Sequence, residues 1–178
     1  MGIIVIPNTK RFIKRGMRDI MSQSIFKQLE FIRQRTIMAV EGLSETTIDV
    51  VPEGFNNNVR WNLGHIYLVQ EMFAFRFAGE PVQTPENFSP LFRKGTKPAD
   101  WTAEPPTLEV LLAMLAEQSQ RIQETLHNRL DEQVKVPYTT GSGFTLSTIG
   151  EFLSFSLYHE GMHYNTISIL KRFADKSQ

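Results

Sequence analysis

Residues 80 to 106 carry six prolines, and no long helix can run through them. On either side lie stretches with strong helical periodicity. A connection of 27 residues between two helices is far longer than neighbouring antiparallel helices need. It constrains the fold because it allows the chain to travel the whole length of a helix before the next one starts.

The helical stretches number four. The first spans about 23 to 43. Its apolar positions Phe26, Leu29, Phe31, Ile32, Ile37, Met38 and Val40 recur at three and four, with Gly42 as a stop. The second opens at Asn56 to Asn58, which offer N-caps, and continues through "VRWNLGHIYLVQEMFAFRFAG" to Gly79. The third follows Pro105-Pro106 and the cap Thr107 as "LEVLLAMLAEQSQRIQETL". The fourth starts near Thr145 to Thr148, where Thr148-x-x-Glu151 matches a capping box, and runs to about Phe173. "VPYTTGSGFT" before it reads as a turn or small hairpin. Other strand signals are few. The expectation is one all-α domain, a four-helix bundle.

Helix 4 contains His159-Glu160-Gly161-Met162-His163, the letters H-E-x-x-H of zinc proteases. The two histidines share a helix face one turn apart. A protease needs a further downstream ligand, but only fifteen residues follow His163, and Asp175 is their only acid. A di-iron centre needs a second Glu-x-x-His, and helix 2 offers Asn62-x-x-His65 instead. His65 is then the remaining candidate for a third ligand. It lies about 10 Å below the start of helix 2, and His163 about 15 Å before the end of helix 4. Antiparallel helices 2 and 4 bring the three imidazoles to similar depth; parallel ones miss by about 10 Å. An up-down-down-up bundle makes them antiparallel, and it requires the long crossover between helices 2 and 3. Loop length and histidine depth agree on one topology. The competing reading is core histidines satisfied by ordinary hydrogen bonds.

Other candidates are less constrained. Glu160 is rotated about 100° from His159. A functional reading, as a catalytic base or an acceptor for a ligand imidazole, weighs evenly against a helix–helix or surface carboxylate. His127 falls at the surface end of helix 3, outside the site. Tyr158, Tyr164 and Asn165 flank the histidines and are placed to line a pocket or to pack in the core. Arg60 and Trp61 lie above His65, where they would meet an anionic or apolar substrate. Gly64 lets a neighbouring helix or ligand approach closely.

Composition narrows the chemistry. Net charge is formally zero, so no nucleic-acid footprint is expected. No run of about 18 apolar residues predicts a membrane span. There is no cysteine, which excludes disulfides, thiolate ligands from the chain and a cysteine nucleophile. Together with the lack of a secretory signal pattern, this points to the cytoplasm. The first twenty residues carry five Lys/Arg against one acid. Residues 1–22 are therefore read as a basic arm, and 23–178 as the bundle domain.

"NVRWNLGHI" and "LYHEGMHYNTISILKR" resemble the DinB/YfiT-like superfamily of metal-binding four-helix bundles. Its pattern, a histidine after Trp-x-x-Gly on helix 2 and H-x-x-x-H on helix 4, falls here on His65, His159 and His163. The resemblance covers roughly residues 23 to 174. It implies the up-down-down-up bundle, a homodimer, and one divalent ion such as zinc, nickel or iron. Characterised relatives include thiol S-transferases using bacillithiol, mycothiol or glutathione, and a mycothiol-dependent isomerase. The expectation is a metal-dependent enzyme that joins a low-molecular-weight thiol cosubstrate to a small electrophile. The alternatives are a metal hydrolase acting through bound hydroxide, and a non-catalytic metal-binding stress protein.

Overall fold

The computed structural model describes residues 9–174, with side chains from Gln23 onward. Four long helices form the bundle. They are α1 (Thr9–Val40), α3 (Val59–Glu71), α5 (Leu108–Leu126) and α6 (Ile149–Ala174). A short α2 (Glu45–Ile48) follows α1, and α4 (Phe88–Phe92) lies in the crossover. β1 (Gln133–Thr139) and β2 (Thr145–Thr148) make a two-stranded antiparallel hairpin leading into α6.

The termini follow from local chemistry. Asn58 caps α3 by accepting from the Trp61 amide at 2.8 Å, and Thr107 caps α5 by accepting from Val110. Glu151 accepts from the Ser147 and Thr148 amides, and Thr148 Oγ1 accepts from Glu151 N, which closes the capping box. α3 does not stop at Glu71 but widens into a π-helical turn, Met72–Arg76, before Gly79 ends it at φ 78°. α1 begins at Thr9 rather than near 23, so the helix continues back into the basic segment.

Contacts fix the directions. Arg33 meets Glu160 and Lys171 meets the Ala39 carbonyl, so α1 and α6 run parallel. His65 meets His159 and Asn62 meets His163, so α3 and α6 are antiparallel. Arg60 reaches the Pro106 carbonyl and Gln118 reaches that of Tyr67, so α3 and α5 are parallel. This is the up-down-down-up order, with the crossover returning the chain between α3 and α5.

Two apolar clusters fill the interior. One centres on Val40, Leu63, Ile66, Phe92, Leu111, Leu115 and Leu170. The other holds Phe26, Leu29, Phe73, Ile122, Leu126, Phe152 and Leu153, with Val134 and Leu146 of the hairpin. The crossover is not a loose strap. Phe88, Leu91 and Phe92 are buried, and the Phe92 ring lies where a Cβ on Gly64 would come within 2.5 Å. Only glycine at 64 lets α4 seat this closely on α3. Among the described residues no helix is long and apolar enough to cross a membrane.

Candidate metal centre

His65 comes from the middle of α3, His159 and His163 from successive turns of α6. One ring nitrogen from each can be chosen so that all lie within 4.8 Å of one another. Ring centroids are 4.6 Å apart for His159–His163, 4.8 Å for His65–His163 and 5.2 Å for His65–His159. The Nε2 atoms of His65 and His159 are 3.3 Å apart. Two nitrogens bound at about 2.0–2.1 Å and a tetrahedral angle would lie about 3.3–3.4 Å apart. The rings therefore fit a shared divalent ion, and three ligands leave a coordination position open, as in catalytic sites. His65 is buried, while His159 and His163 are partly exposed.

Neighbours set the tautomers. His65 Nδ1–H donates to the Phe92 carbonyl at 2.6 Å, which leaves Nε2 free to bind metal. His163 Nδ1–H donates to Asn62 Oδ1 at 2.8 Å. The Asn62 amide is itself oriented, because its NH2 donates to the Asn58 carbonyl at 2.7 Å and turns the oxygen toward His163. Trp61 stacks flat on His65, with centroids 4.6 Å apart and planes 12° apart, and its Nε1–H donates to Thr96. The Phe73 ring stands edge-on to His159 at 6.3 Å.

Burial, followed by the charges of His163 and His65, lowers the His159 pKa to about 3. Burial and the neighbouring His65 lower that of His163 to about 4. Burial also lowers His65, against the hydrogen bond to Phe92. All three imidazoles are thus neutral at pH 7, the form that binds metal.

Other expected residues lie elsewhere. Glu160 is buried, but both its oxygens accept from Arg33 of α1, at 2.8 and 3.0 Å, and it is not part of the three-nitrogen cluster. Arg60 does not face an open end. It is buried and paired with Asp49 and Glu45, and it donates to the Pro106 carbonyl, so it ties α2 and α5 to α3. Tyr158 is exposed beside Phe155, Tyr164 accepts from Arg35, and Asn165 is exposed. His127 is exposed at the end of α5, against the Glu124 carbonyl and Asn128.

The residues that sequence reasoning missed are those that orient the histidine rings. Asn62, one turn before His65, carried a usable signal because it recurs on the ligand side of the helix. The Phe92 carbonyl carried none, since any residue supplies a carbonyl.

No curated protein matches the chain. The family model of the DinB superfamily matches residues 28–167, a span that contains all three histidines and most of the bundle. The chain belongs to the DinB superfamily.

Proposed function

We propose that this protein is a metal-dependent enzyme that transfers a low-molecular-weight thiol to an electrophilic small molecule. The observation that carries the reading is the cluster of three neutral imidazoles, two of them partly exposed, with Nδ1 of His65 and of His163 already held by a hydrogen bond. His65, His159 and His163 would hold one divalent ion. Such an ion supplies Lewis acidity, which lowers the pKa of a bound thiol or water toward or below neutrality. In the transfer, the thiol loses its proton, a sulfur–carbon bond forms, and the leaving group departs with its electron pair. The chain has no cysteine, so the sulfur must come from a cosubstrate.

The remaining residues position rather than react. Asn62 and the Phe92 carbonyl hold the His163 and His65 rings, and Trp61 covers one face of His65. Glu160 is held by Arg33, which favours its reading as a helix–helix carboxylate over that of a base.

The test uses protein loaded with cobalt(II) and titrated with a panel of low-molecular-weight thiols. We expect a sulfur-to-metal charge-transfer band with at least one thiol, absent in His163→Ala. Turnover of a chromogenic aryl halide should require that thiol. Ester hydrolysis with no thiol and no thiol-induced band would make the protein a hydrolase. Metal binding with no turnover of either kind would leave a non-catalytic metal-binding protein.

A further inference from the structure

A layer of buried polar side chains crosses the bundle between its two apolar clusters. On α1, Arg33 falls between Leu29 and Val40. On the second bundle helix, Glu71 falls between Leu68 and Phe73. Gln118 separates Leu115 from Ile122 on α5, and Glu160 separates Leu153 from Ile167 on α6. None of the four is more than 3% exposed.

The layer is continuously hydrogen-bonded. Arg33 pairs with both oxygens of Glu160 and donates to Gln118 Oε1 at 3.2 Å and to the Leu115 carbonyl. Gln118 Nε2 donates to Glu71 Oε1 at 2.8 Å and to the Tyr67 carbonyl at 3.0 Å. Arg121 closes the far end on Glu71. The Gln118 amide thus has its oxygen on a cation and its nitrogen on a carboxylate, so only one orientation satisfies both neighbours. Apolar residues of similar volume often hold such a position at no loss of stability. The layer therefore calls for a role other than stability.

That role follows from where the layer ends. Glu160 is the residue after His159, and the Tyr67 carbonyl is two residues after His65. Among the described residues, the side-chain hydrogen bonds that directly join α3 to α6 are those of the histidines themselves. Apolar packing is non-directional and sets axial register poorly. Metal ligation tolerates errors of only about 0.2 Å in ligand distance. We propose that the Glu160–Arg33–Gln118–Glu71 layer is a positioning device. It fixes the axial register of α3 against α6 through α1 and α5, and so pre-forms the three-nitrogen cluster before an ion arrives. This rests on the metal reading above.

The test separates register from stability. Two variants remove the layer: Gln118→Met, and Arg33→Met combined with Glu160→Met. Leu126→Ala, at the last residue of α5 and outside the layer, serves as a control that lowers stability. Each metal-free protein is melted, then titrated with cobalt(II) while its visible spectrum is recorded. We expect the layer variants to lose at least tenfold in cobalt affinity and to change the ligand-field bands. Leu126→Ala, though less stable, should keep the wild-type affinity and bands. Folded layer variants with wild-type affinity and spectrum overturn the proposal, as does an equal loss in Leu126→Ala. Wild-type protein that binds no cobalt overturns the metal reading instead.

Discussion

The amide of Asn62 does for His163 what a backbone carbonyl does for His65. Each takes the proton on Nδ1 and so presents the other ring nitrogen. Removing such a partner commonly weakens metal binding about 10- to 100-fold. Asn62→Ala should therefore lose affinity in that range by competition titration, while a helix-surface change such as Glu109→Ala loses none. The histidines also predict a pH response. Their folded pKa values lie below the free value of about 6.5. As pH falls below about 6.5, the unfolded chain takes up protons that the folded chain refuses, so the metal-free protein loses stability. The loss should continue down to about 3–4, where His163 and His159 titrate in the folded state, and it should be absent above neutrality. Melting temperature against pH measures it, and His159→Leu should flatten the slope.

At the scale of elements, α4 seated on α3 is the contact that the site depends on. Gly64→Ala sets a Cβ against the buried Phe92 ring, and that ring has little room to yield. Overpacking of this kind costs about 1–3 kcal/mol. Because Phe92 also supplies the His65 hydrogen bond, metal affinity should fall with stability. Denaturant unfolding and metal titration of the same variant check both. α1 gives a different expectation. Its described core side chains begin with Phe26, Leu29 and Arg33, and the family match begins at residue 28. We propose that the bundle core does not need residues 1–22, although α1 itself runs back to Thr9. A chain starting at Met21 should then melt within a few degrees of the full chain; a large drop shows that the segment packs on the bundle.

For the whole molecule, parallel α3 and α5 make the crossover indispensable. The chain leaves the second bundle helix near Arg76 and must return to its starting level by Leu108. The 18 residues from Val59 to Arg76 rise about 27 Å. A five-residue linker spans at most about 17 Å. Replacing residues 77–107 by five glycines should therefore abolish the native bundle, seen as loss of a cooperative melt and of cobalt binding. Much of this design is legible in the chain. The caps Asn58, Thr107 and Thr148 lie within a few residues of the groups they satisfy, so local chemistry predicts them. The i,i+4 histidines and the crossover length imply the third histidine of the cluster and the topology, because helix rise converts residue counts into depth. The partners of the buried charged side chains were not legible. Glu160 meets Arg33 across 127 positions, and Arg60 meets Pro106 across 46. A lone carboxylate beside a histidine reads as chemistry until the tertiary structure brings its cation. The pairing energy belongs to a contact between distant segments, and nothing in either segment alone specifies it.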